Sequence, residues 1–201
     1  MTDFALFAAI GYLLGSIPFG LIAGRMFARV DVREHGSRVT GATNVLRTVG
    51  VRAAAAVLVL DMGKTILAVL LARTFTTSVG VETAAALAAI LGHNWPLYLG
   101  FRGGRGTAPG WGGLLVLSPI AGLVASAVGL LSVAVSRYVS LGSMLGATSG
   151  AATLIVLSVT DVETLPYVWY GSIGASIIVV RHKENIRRLL KGEERKLGES
   201  A

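Results

Sequence analysis

The sequence predicts an all-α integral membrane protein, a compact bundle of seven transmembrane helices, some of them short, with the N-terminus outside and the C-terminus cytoplasmic. Three observations carry this. Of 201 residues, 53% are hydrophobic and only 14% charged, and the mean hydropathy is +0.70, far from the balance of soluble domains. Several apolar runs approach the roughly 20 residues that a hydrocarbon core demands. The arginine clusters fall in alternate loops, so they gather on one face when the spans number seven.

The elements follow in order. The first run, about residues 4 to 24, lacks a basic leader and is too long for a signal peptide, so it is read as a retained span. Within it lies Gly15-Ser16-Ile17-Pro18-Phe19-Gly20. Pro18 removes a helix hydrogen bond and crowds the carbonyl of Leu14, which predicts a kink whose small neighbours admit another backbone. The loop from Val30 to Gly50 is too polar for lipid and holds Ser37, Thr40, Thr43, Asn44 and Arg47. Thr43 or Asn44 is expected to cap a short helix that carries Arg47 one turn later, aimed at whatever the helix start faces. The second span, about 53 to 72, places Asp61 and Lys64 three apart on one helix face, where they are expected to pair because a lone intramembrane charge is expensive. The third span is expected near 80 to 100.

The stretch 93 to 113, HNWPLYLGFRGGRGTAPGWGG, is the least span-like part of the chain. Its glycines let the backbone approach a ligand closely, and Arg102 and Arg105 add fixed positive charge. A helix restarting near Thr107 would turn free N–H groups toward any anion that the arginines attract. Residues 107 to 136 are too many for one span, about 45 Å at 1.5 Å per residue. Ser118-Pro119 divides them into a short fourth helix, about 107 to 117, and a fifth, about 120 to 136. The last two spans are expected near 141 to 160 and 163 to 180. Between the fifth and sixth lies SRYVSLGS, with Arg137, Ser140 and Ser143. His182 and Asn185, three apart, are expected on the last turn of the seventh helix, followed by a solvated basic segment.

Seven spans put the Arg25 to Arg52 loop, Arg102, Arg105, Arg137 and the basic tail on the cytoplasmic face, and Asp3, Glu82, Asp161 and Glu163 outside with Arg73 as the single cation. The net charge of +7 is then a topology signal and an attraction to anionic lipid, and no nucleic-acid-binding motif is present. No polar block is long enough for a second domain, so residues 1–201 are expected to form one membrane-embedded unit. Cysteine is absent, which excludes disulfides and thiolate sites, and the carboxylates and histidines show no ligand spacing, so neither metal nor cofactor is expected.

Taken in order, GSIPFG, GATNVLRTVG, HNWPLYLGFRGGRG and HKENIRRLLKGEE resemble the bacterial acyl-phosphate:glycerol-3-phosphate acyltransferase family, PlsY, over nearly the whole chain. The resemblance implies transfer of a fatty acyl group from acyl phosphate to the sn-1 hydroxyl of glycerol 3-phosphate, giving lysophosphatidic acid and phosphate. It implies a cytoplasm-facing site in the bacterial inner membrane and a functional link to a soluble enzyme that makes acyl phosphate. It places the family's phosphate-binding serine and arginine on Ser37 and Arg47 and its basic Gly-loop residue on Arg105. The C-terminal pair falls on His182 and Asn185, and the serine after the fifth helix on Ser143 or Ser140. Gly41, Thr43 and Asn44 of the GATN motif, and Gly103, Gly104 and Gly106 of GGRG, would surround the substrate. The chain departs from the family pattern at Arg38, Val39, Thr65 and Arg105, where glycine, asparagine, glycine and lysine are usual.

No serine sits in a nucleophile motif, so an acyl-enzyme is not expected. An acyl phosphate is already activated, and orienting it against the acceptor hydroxyl while cations hold the phosphates accounts for about 7 to 11 kcal/mol of barrier in favourable cases. The proton leaves through His182 or a substrate phosphate oxygen, the latter preferred. The alternatives are an inactive or altered-donor homologue and a small anion transporter, which would need a second basic Gly-rich loop outside and an internal repeat, neither of which is visible.

Overall fold

The computed structural model describes residues 1–199, which contain ten α-helices and no strand. The first span is interrupted rather than bent. α1 (Thr2–Ser16) stops at Ile17, whose N–H reaches back to the Leu14 carbonyl, and α2 (Phe19–Ala23) restarts behind Pro18 before a π-helical turn, Gly24–Ala28. A ring without an N–H releases two residues from the helix rather than one hydrogen bond. α3 (Ala42–Thr48) lies in the first basic loop, and α4 (Val51–Phe75) follows at once. α5 (Val79–Asn94) ends before Pro96, short of the expected residue 100. α6 (Thr107–Leu117), α7 (Pro119–Ser136), α8 (Val139–Val159) and α9 (Leu165–Arg181) keep within two residues of the predicted spans.

Asn185 departs from expectation. His182 closes α9 and opens a separate helix, α10 (Lys183–Lys191), so Asn185 stands on α10 rather than on the last turn of α9. His182 takes φ −98° and ψ 10° and its N–H is shared between the Ile178 and Val179 carbonyls, a bifurcated ending that redirects the chain.

By length and composition four helical segments suffice to cross a membrane: Thr2–Ala28, Val51–Phe75, Pro119–Ser136 and Val139–Val159. α5, α6 and α9 are shorter, at 16, 11 and 17 residues. α1 lies against α5 with almost no gap, since a Cβ added at Gly11, Gly15 or Gly92 would collide with the carbonyls of Ala85, Ala89 and Tyr12, the small-residue packing of lipid-embedded helices. α7 pairs with α8, and α4 bridges α1, α5 and α6. One buried cluster joins Val69, Ile90, Leu114, Leu154 and Tyr170 at the centre, and another, including Val32, Val45 and Val57, seats the first basic loop on α4. Leucines 13, 67, 123 and 131 point outward, as lipid contact requires.

At the end remote from α3 and α10, Arg73 of α4 donates to Glu82 of α5 at 2.7 Å and to the Val116 carbonyl near the end of α6 at 3.3 Å. Tyr167 of α9 donates to the same carboxylate. A buried acid and one of the last carbonyls of a half-length helix are thereby satisfied inside protein, as lipid demands.

Candidate active site

A cavity of about 430 Å³ opens where α3, α6, α8 and α10 converge. Its polar end is built from four separate stretches of chain. Ser37, Gly41, Thr43, Asn44 and Arg47 come from the first loop, and Arg105, Gly106 and Thr107 from the second. Ser140 and Ser143 come from the start of α8, and His182, Asn185 and Glu194 from the C-terminal segment. Below them the walls turn apolar with Leu58, Leu114, Leu130, Val133 and Ile178.

The first loop is organised from inside by Asn44. Its Nδ2 donates to the carbonyls of Val32 at 2.6 Å, His35 at 3.2 Å and Val39 at 2.9 Å, and its Oδ1 accepts from the Ser37 N–H at 2.8 Å. The predicted cap is therefore corrected: α3 begins after Gly41 with no side-chain cap, and neither Thr43 nor Asn44 caps it. With one or two more helical residues at its start, the segment places Asn44 inside α3, where its amide serves the loop. Arg47, on the last turn of α3, reaches the cavity and a smaller adjoining recess of about 110 Å³ shared with Ser37, Arg188 and Arg195. Burial and then Arg195 lower its pKa.

Gly106 precedes α6 at φ 84°, a left-handed conformation that suits glycine. It leaves the N–H groups of Thr107 and Ala108 aimed at the cavity, which both residues line. Arg105 enters the same space. Its burial, with Arg188 next in effect, pushes its pKa down to about 10, so it is cationic at neutral pH. Gly103 and Gly104 do not line the cavity but lie behind Arg105 on the end of α5, the Gly104 N–H bonded to the His93 carbonyl at 2.9 Å.

His182 is buried, and its Nδ1 lies 2.8 Å from the Ile178 carbonyl. A carbonyl only accepts, so Nδ1 carries the proton and Nε2 is left as an acceptor. Burial, opposed by that bond and assisted by Arg105, brings the pKa to about 4. Asn185 Nδ2 and Ser140 Oγ both donate to Glu194 Oε1, at 2.6 and 2.7 Å, and Arg188 Nε donates to Oε2 at 2.7 Å. Burial raises the Glu194 pKa, yet these three donors outweigh it and hold the group below the ordinary carboxylate value. Ser143 instead returns its hydroxyl to the Val139 carbonyl.

Glu194, Arg181, Arg188 and His93 are the participants that the residue-by-residue reading missed. Glu194 ends the fragment HKENIRRLLKGEE and His93 begins HNWPLYLGFRGGRG, so both stood inside recognised motifs without an assigned role. The expected Asp61–Lys64 pair forms at 2.9 Å, and His93 joins it.

A model described as "Glycerol-3-phosphate acyltransferase" matches residues 5–192. The chain belongs to this family. A glycerol-3-phosphate acyltransferase from Halalkalibacterium halodurans is 44% identical over 189 residues, covering 93% of this chain and 92% of that protein. The crystal structure of PlsY (YgiH), an integral membrane glycerol 3-phosphate acyltransferase in its glycerol 3-phosphate form, superposes with a TM-score of 0.88 at 35% identity, over 97% of this chain and 96% of that one. Its lysophosphatidic acid form gives 0.86 at 34%, over 97% and 95%. Charged at one end and apolar over most of its wall, the cavity suits this family's pairing of a phosphorylated polyol with a lipid.

Proposed function

We propose that the chain, as one membrane-embedded unit of seven spans, transfers a fatty acyl group from acyl phosphate to the sn-1 hydroxyl of glycerol 3-phosphate. The observation that carries this reading is the convergence of Arg47, Arg105 and the α6 N-terminus on one cavity whose far walls are apolar. Two phosphates need cations and N–H donors, and an acyl chain needs the apolar depth. Family membership favours transfer over anion transport, and no second basic Gly-rich loop lies near Arg73 at the remote end.

In the proposed step the acceptor oxygen attacks the carbonyl carbon, a new C–O ester bond forms, and the anhydride C–O bond to phosphate breaks. Arg105 and the free N–H groups of Thr107 and Ala108 stabilise charge on the departing phosphate, while Arg47 and Ser37 hold that of the acceptor. His182 Nε2 accepts a hydrogen bond from the attacking hydroxyl and orients it. Its low basicity leaves the proton to a phosphate oxygen, whose second pKa is near 6. Asn185 and Ser140, fixed on Glu194, set the wall opposite, with Ser143 one turn further along α8. The site faces the cytoplasm of a bacterial inner membrane, where the donor arrives from a soluble enzyme.

The test is incubation of purified protein with glycerol 3-phosphate and either acyl phosphate or acyl-CoA. Lysophosphatidic acid is expected from acyl phosphate alone. Equal rates with both donors would refute the donor assignment, and an inert protein would mark an inactive homologue, to which the changes at Arg38 and Val39 would then be the first suspects.

A further inference from the structure

Behind the Gly-rich loop, three ionisable side chains that the proposed transfer step does not use are packed together in the bundle. Lys64 Nζ lies 2.9 Å from Asp61 Oδ1, 2.8 Å from His93 Nδ1 and 3.3 Å from the Ile17 carbonyl at the Pro18 break. The ammonium is thus ion-paired with Asp61, whose carboxylate oxygens have no hydrogen-bond partner among the described residues, and donates to the imidazole and the carbonyl. Because Nδ1 of His93 accepts, its proton sits on Nε2, and that edge faces Gly104: a Cβ added at Gly104 would collide with Nε2 and the adjoining ring carbons. The His93 carbonyl takes the Gly104 N–H at 2.9 Å. From the other side Arg181, stacked on Trp95 at 5.2 Å, donates to the Gly104 carbonyl at 2.9 Å. The peptide groups on both sides of Gly104, directly before Arg105, are therefore clamped, and the imidazole ring is the face against which they rest.

We infer that Asp61, Lys64 and His93 are positioning residues, a buried relay from α4 through α5 whose role is to fix the backbone at Gly104 and so aim the Arg105 guanidinium into the cavity. The inference rests on the reading of Arg105 as a phosphate ligand. It accounts for three charged or polar groups in an apolar bundle, two of which, Asp61 and His93, also border the cavity, since an intramembrane charge must be compensated or useful. It also gives Gly104 a specific reason to be glycine: its φ is not positive, so alanine there meets the imidazole rather than backbone strain.

The test is a pair of mutational cycles on the full chain, read as kcat/KM for acyl phosphate in acyl transfer, with glycerol 3-phosphate affinity by calorimetry as the control that the acceptor site is intact. Gly104→Ala should lower kcat/KM by about a hundredfold, and adding His93→Ala, which removes the ring, should restore about tenfold of that loss. In the Asp61→Asn/Lys64→Met background, which deletes both charges together, Arg105→Ala should cost about tenfold less than it does in the unaltered protein. His93→Gln, which keeps a polar atom beside Lys64, should retain more activity than His93→Ala. Each protein is scored for folding by gel filtration and thermal unfolding in detergent, and if one cycle fails to fold the other is decisive. Multiplicative effects in the folded cycle, or a His93→Gln protein of full activity where neither cycle folds, would overturn the inference. An Arg105→Ala protein with an unchanged kcat/KM for acyl phosphate would sink instead the reading of Arg105 on which it rests.

Discussion

Ser140 and Glu194 are 54 positions apart in the chain and are joined by a hydrogen bond of 2.7 Å from the hydroxyl to Oε1. The C-terminal segment is thereby tied to the start of α8 and closes over the cavity. It is anchored again where the Leu197 N–H meets the Arg137 carbonyl at 2.7 Å.

Because one carboxylate receives Ser140, Asn185 and Arg188, its removal orphans three donors at once. Glu194→Ala should lose roughly 3 kcal/mol or more of stability, seen as a lower Tm in detergent, and most of the activity. Glu194→Gln keeps an acceptor oxygen and should fall between the two. A Glu194→Ala protein with unchanged Tm would show that the tail is held elsewhere.

Arg105→Ala should lower kcat/KM by about ten- to several-thousand-fold, since each charge-assisted hydrogen bond is worth about 1.5 to 3 kcal/mol. The fold should survive, because Arg105 lies in a loop rather than in a packed helix. Arg105→Lys should keep appreciable activity, the family's usual residue being lysine. Steady-state assays on folded protein decide it, and near-full activity for Arg105→Ala is incompatible with the proposed role.

The pH behaviour of His182 has a definite sign. Its pKa falls from 6.5 unfolded to about 4 folded, so between those values the unfolded chain binds more protons and stability drops as pH falls through that window. The full effect is about 3 kcal/mol. An imidazole NMR titration should find the ring neutral at pH 6, and His182→Asn should flatten the acid slope of Tm. Titration near 6.5 would mean that the ring is solvated.

Single cysteines at 102 and 187 should label from the cytoplasmic side, and one at 161 from the outside, as seven spans require. All three positions are exposed. Accessibility of 102 and 187 from opposite faces would break both the span count and the convergent site.

Where helix limits were legible their causes are local: the glycine turn before Thr107 and Ser118-Pro119 each interrupt a helix by their own stereochemistry, whereas Pro18, expected to kink its helix, breaks it, and the stop ahead of Pro96 was not foreseen. The expected limits of α6, 107 to 117, agree with those found. The Asp61–Lys64 pair was legible from helical spacing alone. His93 and Glu194 were not, because their partners lie 29 and 54 positions away, and no periodic pattern encodes a contact between distant elements. Asn44 was misplaced for the opposite reason. Cap preference is a local rule, and here a buried amide with four loop partners overrode it.

α6 covers only about 16 Å, and its far end is sealed by Arg73, Glu82 and the central apolar cluster. Such a half-depth helix offers its positive pole to one side of the bilayer and nothing to the other. In the proposed orientation both substrates arrive, and the product departs, on the side where α6 begins. Each turnover then adds one lipid to the inner leaflet and none to the outer. Sustained activity creates an area imbalance between the leaflets, which only lipid transfer across the membrane can relieve.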